Sequence, residues 1–127
     1  MYRAGDCIFI DTNYYKDGTT KAHLFVVILD AELESDKTIL VPMSTILDAG
    51  WYDCTTVLKD GDHEFVSKPT FIDYREANIK TKSWMDKNGR KDLSPVSPDL
   101  LQIIADGIKK SEHVPNDVYE HYIYRNL

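Results

Sequence analysis

Five cations and an indole crowd into the stretch Lys80-Thr81-Lys82-Ser83-Trp84-Met85-Asp86-Lys87-Asn88-Gly89-Arg90-Lys91, where Asp86 is the single acid. Lysine and arginine neutralise a phosphate backbone, and an indole stacks on an unpaired base, so this pattern suits single-stranded nucleic acid. The segment carries +4 inside a chain of net charge −6, which leaves −10 for the remainder. An acidic chain of that kind is no general nucleic-acid sponge, but it can carry a local basic patch. Lys80, Lys82, Trp84 and Lys87 are therefore candidate nucleic-acid contacts. The competing reading is an exposed hairpin with solvated lysines and Trp84 packed on the core.

Other chemistries find less support. The histidines His23, His63, His113 and His121 form no HxH or HxxxH pair, the spacing by which zinc sites announce themselves, so no metal is expected. No Gly-x-Gly-x-x-Gly, P-loop or Gly-x-Ser-x-Gly occurs, and no cofactor is expected either. Asp60-Gly61-Asp62 resembles part of a calcium loop but reads as a turn. Cys7 and Cys54 are isolated thiols, expected to be reduced and buried.

These residues must be held by a scaffold, and the chain reads mostly as short strands. Gly5–Asp11 is a strand rich in β-favouring side chains, and Asp17-Gly18 marks the turn after it. His23–Leu29 is a continuous apolar run that fits a strand buried on both faces. Thr38–Met43 is a third strand, with Pro42 expected at a strand end or a sheet edge because it lacks a donor. Ser44-Thr45 is expected to cap a helical turn from Ile46 to Ala49. Thr55–Leu58, Thr70–Tyr74 and Ala77–Lys80 complete the strands. Ser97-Pro98 then opens a helix to Lys110, since Ser caps free amides and Pro has no N–H to leave unpaired. Its apolar stripe is Leu100, Leu101, Ile103, Ile104 and Ile108, and Pro115 stops it. A second short helix is expected from Asn116 to Tyr124, bearing Tyr119, Tyr122 and Tyr124. The pattern predicts a small, mostly antiparallel β-barrel with a C-terminal amphipathic helix packed on it.

At 127 residues and 43% hydrophobic content, the chain is expected to be one domain spanning 1–127. No apolar run approaches the roughly 18 residues of a membrane span, and the start lacks the apolar stretch of a signal peptide. The expectation is a cytoplasmic protein without membrane contact.

Four stretches, in order, resemble the MazF/PemK family of toxin endoribonucleases. They are Gly5–Asp11, His23–Ile28, Val41-Pro42-Met43-Ser44-Thr45, and Pro69–Ala77 followed by the helix that begins at Val96-Ser97-Pro98. The third is similar to the family's Val-Pro-x-Thr-[Thr/Ser] segment, with Ser44 keeping the hydroxyl of the Thr. The resemblance implies an SH3-like barrel, a homodimer, single-stranded RNA as substrate and a cognate antitoxin that blocks the site. Related barrels poison DNA gyrase instead. An acidic, Tyr-rich surface also fits a dimer.

The same resemblance implies a site at His23 and Ser44. His23 stands where the family carries an Arg, and Leu24 where it carries a Pro; Phe65 and Ser67 occupy places where some relatives hold an Arg and an Asp. Cleavage of RNA without metal needs a base for the ribose 2′-OH, an acid for the leaving oxygen and donors for the charged phosphorane. Histidine, with a reference pKa of about 6.5, serves as acid or base near neutrality but supplies less fixed charge than Arg. Lys21 is placed to compensate in part. Arg75 either contacts phosphate or pairs with Asp73 or Glu76. The expectation is a sequence-specific endoribonuclease of a toxin–antitoxin system, weakened or inactive if the His cannot replace the Arg. The alternative is a non-catalytic member that binds protein or nucleic acid.

Overall fold

The computed structural model describes residues 1–12, 21–91 and 93–126. It contains strands β1 (Cys7–Thr12), β2 (Lys21–Val27), β3 (Lys37–Thr45), β4 (Val57–Leu58), β5 (Thr70–Ile72), β6 (Asn78–Thr81) and β7 (Gly89–Arg90), and helices α1 (Lys82–Asn88), α2 (Pro98–Lys110) and α3 (Asn116–Arg125). A 3-10 turn, Tyr74–Glu76, separates β5 from β6. The strands form one antiparallel sheet in the order β4-β5-β3-β2-β1-β7, with β6 also paired to β3. No helix among the described residues is long and apolar enough to cross a membrane. The turn expected at Asp17-Gly18 lies outside the described residues.

Side chains alternate between the two faces of a strand, and here both faces are covered. Cys7, Leu24, Val26, Val41, Met43 and Ile72 pack against Leu100, Ile104 and Ile108 of α2 and Val118 and Tyr122 of α3. Each buried Leu or Ile contributes about 1.5–3 kcal/mol of apolar burial. On the opposite face, Ile8, Ile10, Phe25, Val27 and Leu40 pack against Tyr2, Ala31 and Met85 of α1. Continuous burial of Leu24–Ile28 is thus the consequence of two layers meeting the same strand.

α2 begins as its sequence requires: the Ser97 hydroxyl accepts the Leu100 N–H (3.1 Å) and Pro98 takes the first position. Its inner face differs from the expected stripe in one place. Ile103 is 56% exposed, and Ala105 and Gly107 are buried instead. Gly107 is there because Tyr74, fully buried, pushes its hydroxyl against the helix; a Cβ at 107 would collide with the phenol ring. That hydroxyl donates to the Ile104 carbonyl (2.7 Å), so the Thr56 hydroxyl (2.8 Å) must donate to it in turn. Burial holds the Tyr74 phenol well above its usual pKa.

Four local expectations are corrected. Residues 82–88 form α1 rather than part of a hairpin, because the Thr81 hydroxyl caps the Trp84 N–H (3.1 Å) and Met85 is buried beneath the sheet. Pro42 lies inside β3, paired with Phe25. Its carbonyl accepts the Asp73 N–H (2.9 Å), and its missing donor falls in the gap that the 3-10 turn opens between β5 and β6. Ser44 and Thr45 cap no helix; they extend β3 and pair with Phe71 and Thr70. Cys54 is exposed, whereas Cys7 is buried as expected, and both thiols are free.

Candidate functional site

Beyond the cluster that Tyr2 and α1 cover, an open cleft of about 580 Å³ lies at the ends of β2 and β3. The register determines which side chains meet in it. Phe25–Pro42 is the last pair that β2 and β3 share, and beyond it His23 of β2 and Ser44 of β3 both line the cleft. Ser44 in turn pairs with Phe71 of β5. Lys21 shares the His23 side of β2 because strand side chains repeat every second residue. The cleft is completed by Trp51 from the loop after β3, Phe65, Ser67 and Lys68 from the segment before β5, and Asp73 and Arg75 from the turn after it.

His23 is half-buried, and its Nδ1 lies 2.7 Å from the Thr12 hydroxyl oxygen. The same hydroxyl also donates to the Lys21 carbonyl (3.2 Å). Burial lowers the imidazole pKa, and the Lys21 charge lowers it further against the opposing pull of the Lys21 carbonyl and Asp73. Burial thus favours the neutral ring, the state a general base needs.

Asp73 is buried, and burial raises its carboxyl pKa against the lowering influence of Arg75. Its Oδ2 lies 3.6 Å from the Arg75 guanidinium, while Oδ1 has no hydrogen-bond partner among the described residues. Arg75 also approaches Glu76 (3.9 Å) and stacks over Trp51, with Cζ 4.4 Å from the ring centroid. Among the described residues the cleft therefore holds three cations, Lys21, Lys68 and Arg75, against one carboxylate. Its local sign is opposite to that of the whole chain, which suits an anionic ligand.

The wall that carries Phe65, Ser67 and Lys68 is clamped from behind. His63 Nδ1 accepts the Phe65 N–H (3.1 Å), so Nε2 carries the proton and donates it to the Ser94 carbonyl (2.6 Å). The Glu64 carboxylate accepts the Ser94 N–H (2.5 Å). Cys7 Sγ lies 3.8 Å from that same Nε2, but the nitrogen is already a donor and cannot activate the thiol, whose pKa burial pushes up to about 11. This is a structural clasp, not a nucleophilic pair.

The structure thus brings His23, Ser44, Lys21 and Arg75 into one cleft and places Lys80, Lys82, Trp84 and Lys87 elsewhere. Lys80 pairs with Thr38, six residues along β3 from Ser44 and roughly 20 Å away at the strand rise. Lys82 is only 14% exposed, bonded to Glu34 (2.9 Å) and Asp86 (2.8 Å), and the Tyr2 hydroxyl donates to the same Asp86 (3.0 Å). Lys80 lies over the Trp84 ring, 4.5 Å from its centroid. These groups fasten α1 to the sheet, and Lys87 alone stands clear of them on the outer side of the helix. Trp51, Lys68 and Asp73 are the cleft residues that sequence reasoning missed. Gly50-Trp51-Tyr52, an aromatic pair in a stretch with no strand pattern, was the available signal for the first. No protein-family model matches the chain, and no curated protein is significantly similar to it.

Proposed function

We propose that the chain is a MazF/PemK-like endoribonuclease that cleaves single-stranded RNA without a metal ion. The observation that carries this reading is an imidazole of lowered pKa sharing one cleft with the Ser44 hydroxyl and three cations. In the proposed reaction the His23 imidazole takes the proton of a ribose 2′-OH, and the oxygen attacks the adjacent phosphorus. The P–O5′ bond breaks, the departing oxygen takes a proton from solvent at the mouth of the cleft, and a 2′,3′-cyclic phosphate remains. The Ser44 hydroxyl and the Lys21 and Arg75 cations donate to the phosphorane oxygens, where charge builds up in the transition state. An SH3-like barrel, a homodimer and a cognate antitoxin that occupies the cleft belong to the same reading.

A non-catalytic barrel that binds nucleic acid or protein, gyrase included, is the second reading. It is favoured by His23 itself, a neutral group where the resembled family carries a permanent cation. Incubation with single-stranded RNAs of varied sequence separates the two. Fragments ending in 2′,3′-cyclic phosphate, lost in His23→Ala, support the enzyme. Intact RNA with wild-type protein overturns it.

A further inference from the structure

The indole best placed to read a base is Trp51, not Trp84. Trp84 is partly buried in the cluster beneath the sheet and carries Lys80 on its ring. Trp51 is 50% exposed, lines the cleft and is held rigidly. His113 meets its ring edge-to-face at 5.0 Å and Phe71 at 6.3 Å. Its loop is pinned by the buried Asp53 carboxylate, which accepts the Thr55 N–H (2.9 Å), the Thr55 hydroxyl (2.6 Å) and the Ser111 hydroxyl (2.6 Å). Arg75 lies over the indole and is itself steered by Asp73 and Glu76.

A planar guanidinium against an indole makes a flat, polarised platform. Bases stack on such platforms with little regard to sequence, because every base has a π-face. Protein side chains fix the edges of this ring, so little freedom is lost when a ligand arrives. We propose that Trp51 and Arg75 form a stacking site for one unpaired base of the RNA, in the same cleft as His23 and Ser44. The proposal rests on the cleft being an RNA site, and it adds a base-binding role to a set of residues otherwise assigned to phosphate and proton transfer. The lysines attract the backbone of any nucleic acid; the platform selects unpaired strands, since a base inside a duplex offers no free face.

The test uses a short randomised 2′-O-methyl oligonucleotide, which has no 2′-OH and cannot be cut, and an abasic oligonucleotide of the same length, which keeps every phosphate. A Trp84→Phe variant leaves Trp51 as the sole indole of the chain. The base-containing strand should quench its fluorescence and the abasic strand should not. Trp51→Ala should weaken binding of the base-containing strand on the order of ten- to a hundredfold, with Trp51→Phe retaining most of the affinity. In Trp51→Ala the two strands should bind alike. If Trp51→Ala binds as wild type while Lys21→Ala and Lys68→Ala weaken binding, the cleft holds RNA and the stacking site is wrong. If wild-type protein binds neither strand, the RNA reading and the stacking site fall together.

Discussion

His23 and Ser44 line one cleft from neighbouring strands, just beyond the Phe25–Pro42, Val26–Val41 and Val27–Leu40 pairs that β2 and β3 share. A slip of one residue would turn one of the two side chains to the face packed on α2 and α3. The same core packing that holds the sheet together thus brings the candidate base and the candidate hydroxyl to one cleft.

Protonation of His23 should set the pH profile of cleavage. Its pKa is lowered by burial, and a general base works only when unprotonated. Cleavage should therefore be level near neutrality and fall as pH drops through a value below about 6.5. His23→Ala should lose most activity while remaining folded by circular dichroism. His23→Arg should also lose activity, because Arg cannot take the proton. A gain of cleavage in His23→Arg would show that the position needs charge, not a base.

Two groups of lysines should separate by salt dependence. Lys21→Ala with Lys68→Ala should weaken binding of single-stranded RNA and flatten its dependence on salt, by about 0.7 in log–log slope for each phosphate no longer neutralised. Lys80→Ala with Lys82→Ala should leave that slope nearly unchanged and instead reduce stability, since Lys82 joins Glu34 to Asp86. Filter-binding titrations over a range of salt, beside urea melts, read both effects. A flattened slope in the second pair would return the RNA site to α1.

Asp73 should leave a signature in the acid limb of stability. Its folded-state pKa is raised, so the native chain binds the proton more tightly than the unfolded one. Its contribution is fully present below the ordinary carboxylate value of about 3.9 and is lost as pH rises through the raised value. Asn cannot titrate, so relative to wild type Asp73→Asn should become more stable as pH rises through that window. Urea titrations of both proteins at matched pH check the sign. A constant difference would mean that Arg75 fully offsets the burial of the carboxylate.

The Tyr74–Gly107 approach should be intolerant of change. Gly107→Ala places a methyl group against the phenol and should cost about 1–3 kcal/mol as overpacking. Tyr74→Phe leaves the Ile104 carbonyl and Thr56 hydroxyl without their partner and should cost about 1–3 kcal/mol. The two residues touch, so the double variant should depart from additivity in a denaturant-based cycle. Additive losses would mean that the helix shifts away at little cost.

The sequence by itself determined what is local. Ser97-Pro98 and the Leu100–Ile104–Ile108 spacing specify α2 within a few residues of chain, and the Leu24–Ile28 run announces a strand with cover on both sides. A cap, a fixed φ and a periodic stripe act over one or two turns, so they can be read without a partner. α1 offered no such stripe: only Met85 of its seven residues is buried, and its place is decided by the cluster under the sheet. Ser44-Thr45 could cap a helix or extend a strand, and pairing with Phe71 and Thr70, distant in sequence, made it a strand. The cleft was hidden for the same reason. Lys21, Ser44, Trp51, Lys68 and Arg75 lie on five separate stretches of chain, and only the strand order and register bring them to one face. The lysines of residues 80–87 belong to the basic stretch 80–91, but charge along a chain does not say which ammonium groups will find carboxylates. Glu34, far away in sequence, claimed Lys82 once β3 and β6 had paired.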